Sequence, residues 1–151
     1  MPYEIITNLW IGDHKDSLDN NFLKDKGINV IINATRNLPF YETNTIKQIR
    51  VPVDDEVGPK QMECNEKMFF FLTPIVNQIH KFLLMGKKVL VHCRKGRQRS
   101  ATIICAFLMK YGKMKYMDLE GLLKSKKQDI FYPSCNFRFC LQKFQGEILS
   151  L

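Results

Sequence analysis

The sequence contains no run approaching the roughly 20 consecutive apolar residues that a membrane-spanning helix requires, so no span is expected. Its opening, MPYEIITNLW, has no basic region followed by an apolar one, so no secretory leader is expected either. Cysteine is sparse and ungrouped: Cys64, Cys93, Cys105, Cys135 and Cys140 are odd in number, form no CxxC pair and share no zinc-like spacing with the three histidines. That argues against a disulfide framework or a bound metal and for a reducing intracellular setting, cytoplasmic, nuclear or both. Low-complexity linkers and internal repeats are also missing. The 151 residues therefore read as one domain, 1–151, long enough to bury a core without covalent staples.

Charge and apolar pattern fill what remains. Lys and Arg outnumber Asp and Glu 23 to 15, a net charge of +8 that favours acidic or phosphorylated partners without deciding among them. Short apolar runs alternate with longer stretches of helical period, which is the pattern of an α/β fold with one central, mostly parallel sheet flanked by helices.

One stretch concentrates the chemistry, VLVHCRKGRQRSAT from Val89 to Thr102. Val89, Leu90 and Val91 are apolar at every position, as expected of a strand buried on both faces. The residues after Gln98, RSATIICAFLMKY, are apolar nearly all round, so a buried central helix should follow, with Gly112 as its stop. Between them lie Arg94, Lys95, Gly96, Arg97 and Gln98, with Gly96 permitting a tight turn. A loop whose N–H groups converge at a helix N-terminus binds an anion, because unpaired donors and the helix dipole both favour negative charge there. Cys93 stands at the mouth of that nest, where the same field favours the thiolate, the nucleophilic form. Arg99 can return a planar, two-pronged guanidinium to a bound phosphate, and Ser100 can hydrogen-bond the sulfur.

The pattern His92-Cys93-x-x-Gly96-x-x-Arg99-Ser100 resembles the signature loop of the cysteine-dependent phosphatases, specifically their dual-specificity branch. The resemblance extends over essentially the whole chain and implies a single α/β catalytic domain that works without metal or cofactor. It implies that Cys93 attacks phosphorus and that Arg99 and the loop 94–98 hold the phosphate. His92 then orients the loop and Ser100 assists the thiolate. A general acid follows a strand three residues past a proline in such proteins, which implicates Asp55, three past Pro52, with Asp54 in reserve. The interval of 38 residues from Asp55 to Cys93 is longer than the resemblance leads one to expect, and GPKQMECNE reads as an extension of the acid loop. Asn33, ending the apolar run INVIIN, corresponds to an Asn that braces the signature loop; it also reads simply as the end of a strand.

Substrate class stays open at this level. A phosphorylated protein, carrying phosphotyrosine or phosphoserine and phosphothreonine, is the implied substrate. Arg94 and Arg97, one and four residues past the cysteine, also resemble the phosphoinositide and inositol-polyphosphate branches. Related loops act on RNA 5′ ends, which the +8 charge would help hold, although no aromatic residues interleave with the cations for base stacking. A phosphate-binding module without turnover is the third reading.

The remaining elements follow from periodicity. Tyr3 to Ile6 and Leu9 to Ile11 read as strands around a Thr7-Asn8 turn, and Lys47 to Val53 as another. A helix is expected from Asp16 to Lys26, capped by Asp16 or Ser17. Glu66 to Met85 reads as helical, with Thr73-Pro74 as a start or a kink and its phenylalanines as core. Lys113 to Ser125 and Pro133 to Leu149 read as further helices.

Overall fold

A computed structural model describes residues 2–43 and 45–149. Among these residues five strands form one sheet in the order β1-β2-β5-β3-β4. They are β1 (Tyr3–Ile6), β2 (Leu9–Gly12), β3 (Val30–Asn33), β4 (Lys47–Arg50) and β5 (Val89–His92). Only the β1–β2 hairpin is antiparallel; β2, β5, β3 and β4 run parallel. The turn of that hairpin puts Asn8 at φ 70, a conformation Asn tolerates better than most residues.

β5 lies at the centre with all four residues buried, as its unbroken apolar run requires. Gly12 and Asn33 both pair with His92, so β2, β3 and β5 end level. Cys93 follows at the carboxyl edge of the central strand, where open α/β sheets bind their ligands.

Among the described residues five α-helices flank the sheet: α1 (Asn20–Asp25), α2 (Gln61–Leu84), α3 (Arg99–Tyr111), α4 (Tyr116–Lys126) and α5 (Arg138–Leu149). The main core gathers residues of α2 to α5 against one face. A smaller cluster of Leu23, Ile28, Ile31 and Leu90 fills the other face. Trp10 is only half-buried at the edge of that cluster, with its ring edge-on to Phe22 at 5.4 Å. In α3, Ser100 through Met109 are all buried, so the helix that starts at the signature loop is also the centre of the packing. No helix among the described residues is long and apolar enough to cross a membrane.

Several boundaries differ from expectation, each for a physical reason. β4 stops at Arg50 because Pro52 has no N–H for the ladder. The α1 cap is Asp19, whose Oδ1 accepts from Phe22 N–H at 3.2 Å, and not Asp16 or Ser17. Asp16 and Asp13 instead exchange backbone-to-carboxylate bonds of 2.9 Å each, closing the turn after β2. The GPKQMECNE stretch is not a loop: Gly58–Lys60 form a 3-10 turn that runs directly into α2.

Pro74 sits inside α2 on an exposed face, so the carbonyl it leaves unpaired, four residues back at Phe70, can meet water. Phe70 is itself 74% exposed and is not core, whereas Phe69, Phe71 and Phe82 pack against it. α4 begins at Tyr116, after Lys113 adopts φ 58, and buries Tyr116, Leu119 and Leu123 while Met117 and Leu122 face water. α5 begins at Arg138, five residues later than its apolar spacing suggests, because the backbone of 132–136 is tied to the signature loop.

Candidate active site

The loop from Arg94 to Gln98 is held from both sides. His14 N–H donates to the Arg94 carbonyl at 3.2 Å, and Phe131 N–H to the Arg97 carbonyl at 2.7 Å. A trans peptide points its N–H opposite to its C=O, so the Lys95 and Gln98 N–H groups face away from those braces. Gly96 makes the turn possible. Its φ is +70, and a Cβ there would stand 2.8 Å from the Gly12 carbonyl oxygen. Loop and β2 thus touch backbone to backbone, which only glycine allows.

Cys93 is 3% exposed and its Sγ lies 3.2 Å from Ser100 Oγ. His92 is buried beside it, with Nδ1 3.3 Å from the Cys93 carbonyl and its ring 6.4 Å from that of His14. Burial pushes the His92 imidazole down to about 4, so it is neutral near pH 7. His14 is half-buried, and its Nδ1 is enclosed without a hydrogen-bond partner among the described residues.

A cavity of about 340 Å³ opens at this point, lined by Cys93, Arg94, Lys95, Arg97, Arg99 and Asp55, among others. Arg99 donates from Nη1 to the Val53 carbonyl at 2.9 Å, which ties the guanidinium to the segment carrying Asp54 and Asp55. Its Nε is buried with no hydrogen-bond partner among the described residues, a donor that a phosphate oxygen would satisfy. Asp55 lines the same cavity as Cys93. Asp54 does not; it pairs with Arg36 at 3.3 Å on the surface beside it. A thiol, anion donors and a carboxyl group therefore surround one space, a set of groups chemically able to break a phosphate ester. Among the described residues no group of three or more His, Cys, Asp or Glu side chains is arranged to hold a metal ion.

Residues 9–147 match the family described as dual specificity phosphatase, catalytic domain. The chain belongs to that family. Human dual specificity protein phosphatase 9 is 32% identical over 149 residues, an alignment that covers 97% of this chain and 37% of that protein. The putative tyrosine phosphatase 123R of Invertebrate iridescent virus 6 is 28% identical over 144 residues, covering 95% of this chain and 92% of that one. The crystal structure of human DUSP28 superposes with a TM-score of 0.82 at 21% identity, covering 98% of this chain and 95% of that one, a likeness of fold. The chain spans little more than a third of the human phosphatase 9 sequence and nearly all of the viral one.

Within this phosphatase domain three expected site residues are engaged elsewhere. Asn33 donates from Nδ2 to the Leu38 carbonyl at 2.9 Å and accepts from Thr35 N–H and Oγ1–H. It braces the turn after β3, and the signature loop is braced instead by residues 12–16 and Phe131. The Gln98 side chain, 6% exposed, borders the same cavity, but its amide is taken up by bonds to the 132–136 segment. Arg97 lines the cavity but its Nε is 3.4 Å from Asp129 Oδ2. Burial works against the Asp129 charge, yet Lys127 and Arg97 together hold that carboxyl below its ordinary range.

Two residues that the sequence reading passed over, Tyr132 and Asn136, also line the cavity. Asn136 donates to Asp55 Oδ1 at 3.0 Å across 81 residues of chain. Nothing local in YPSCNF signals that contact.

Proposed function

We propose that the chain is one catalytic domain, residues 1–151, that hydrolyses phosphate monoesters on phosphotyrosine and on phosphoserine or phosphothreonine proteins. The Cys93 thiolate attacks phosphorus, the ester P–O bond breaks, and Asp55 gives its proton to the departing oxygen. Asp55, now ionised, takes a proton from water, which attacks the cysteinyl phosphate and frees the thiolate and inorganic phosphate. Arg99 and the N–H groups of the 94–98 loop stabilise the equatorial oxygens in both steps. His92 is a neutral structural support under the loop, and Ser100 hydrogen-bonds the sulfur as it departs from phosphorus.

The single observation that carries this reading is the shared cavity of Cys93, Arg99 and Asp55. The five unpaired cysteines accord with an intracellular enzyme. Relatives named as protein phosphatases support a protein substrate, and the pairing of Arg97 with Asp129 withdraws one of the cations that a polyphosphorylated ligand would use.

Phosphate release from phosphotyrosine and phosphothreonine peptides, phosphoinositides, inositol polyphosphates and triphosphate-ended RNA, with Cys93→Ser as the blank, tests it. Both kinds of peptide should be turned over, and faster than the other compounds. Preference for a polyphosphorylated compound or RNA would overturn the substrate, and no release from any of them would overturn the enzyme.

A further inference from the structure

The acid-bearing segment after β4 has no regular structure from Val51 to Val57, yet its carboxyl must meet a leaving oxygen above Cys93. Asn136 supplies the fixed point. Its Nδ2–H donates to Asp55 Oδ1 at 3.0 Å. Its own backbone is held on both sides by side chains from two other elements. Asn136 N–H donates to Gln98 Oε1 at 2.9 Å. Its carbonyl accepts from Asn65 Nδ2 at 2.9 Å and from Gln61 Nε2 at 3.1 Å, both on α2.

Each of these ties is itself anchored. Gln98 also donates to the Tyr132 and Ser134 carbonyls, at 3.2 and 2.8 Å. Asn65, 3% exposed, accepts from Cys140 N–H at 2.9 Å. Gln98 stands one residue before Arg99, so the chain of bonds runs from the phosphate loop through Asn136 to the acid. Gln61 and Asn65 belong to the GPKQMECNE stretch, which thus buttresses the site through the first turns of α2.

We infer that Asn136 is a positioning residue for Asp55, held by Gln98, Gln61 and Asn65 so that the acid keeps one distance from the nucleophile. The inference rests on the roles proposed above for Cys93 and Asp55. An amide N–H can only donate. In the protonated acid the carbonyl-type oxygen is the stronger acceptor, so this bond favours Oδ1 in that role and the transferable proton on Oδ2. Both halves of the reaction use that proton: it leaves with the first product and is regained from water.

The test is a series of aryl phosphates, running from acidic to weakly acidic leaving phenols, turned over by Asn136→Ala and Asn136→Asp in the otherwise unaltered protein and in Asp55→Asn. Asn136→Asp keeps size and backbone ties and guards against a folding defect, which urea unfolding of each variant reports. Phenols acidic enough to leave unprotonated should react within about threefold of the parent, and weakly acidic ones about tenfold or more slower, in kcat with KM little changed. In the Asp55→Asn protein the same changes should have no further effect.

An equal loss over the whole series, or an undiminished loss in the Asp55→Asn protein, would overturn the positioning role. If Asp55→Asn alone leaves the series flat, the acid has been misassigned and this inference fails with it. If Asp55→Asn steepens the series and Asn136→Ala does not, only the positioning role fails.

Discussion

Replacing Gly96 by alanine separates two costs that the structure makes distinct. A left-handed φ costs an L-residue about 1–2 kcal/mol wherever it occurs. At Gly96, φ +70, the new Cβ would in addition meet the Gly12 carbonyl oxygen at 2.8 Å and its carbon at 3.0 Å. Those atoms cannot retreat freely, because Gly12 pairs with His92 in the sheet and Asp13 N–H is bonded to Asp16. An overlap of this kind adds about 1–3 kcal/mol. Gly86, φ +74, has nothing within 4 Å of its Cβ position and so carries the first cost alone. Urea unfolding should show Gly96→Ala less stable than Gly86→Ala by about 1–3 kcal/mol. If the loop yields to relieve the overlap, its N–H groups leave their places, and a shift near 1 Å lowers turnover by about 10²-fold. Gly86→Ala should turn over like the parent. Equal stability and equal turnover of the two variants would refute the claim that loop and β2 are in backbone contact.

Three further outcomes follow from the same geometry. Asp55→Asn should slow esters with weakly acidic leaving groups by about 10²–10⁴-fold, whereas Asp54→Asn, which removes a surface pair with Arg36, should stay within about threefold; the reverse order would exchange their roles. His92 takes a proton near 6.5 when unfolded but only near 4 when folded, so the unfolded chain binds more protons between those values. Stability should therefore fall as pH falls from 6.5 to 4, by about 3 kcal/mol from this group, and no further below; an equal loss in His92→Asn would contradict it. Burial pushes Cys135 up to about 11 and Cys140 up to about 12, and holds Cys105 well above its ordinary value. Iodoacetamide near pH 7 should accordingly label Cys93 first, more slowly in the presence of phosphate; labelling of Cys140 first would oppose that order.

What the sequence made legible was local. Strand, glycine turn and helix around Cys93 lie within 14 residues, and each signals itself: an apolar run, a glycine, an apolar helix. The parallel sheet followed from such runs alternating with helices. Asp55, implicated by the resemblance as the residue three past Pro52, lines the same cavity as Cys93. Contacts over long intervals were not legible. The Asn136–Asp55 bond spans 81 residues and Gln98–Asn136 spans 38, and neither leaves a periodic trace.

Other misreadings arose where one residue type serves two purposes. Gly58-Pro59 reads as a break but opens a helix, since proline suits a first turn as well as a loop. Asn33 ends a strand and has donors to spare, and which loop it braces depends on the path of residues 34–38, which only the fold decides. Phe70 shares the composition of its neighbours but falls on the outer face of α2.

Most direct is the capture of the covalent intermediate. The protein is mixed with a ³²P-labelled phosphotyrosine peptide, quenched in denaturant within the first turnovers and digested. Label should appear on the peptide containing Cys93, be absent from Cys93→Ser, and last longer in Asp55→Asn, where water activation is impaired. Turnover with no labelled cysteine, or turnover that survives Cys93→Ser, would contradict it.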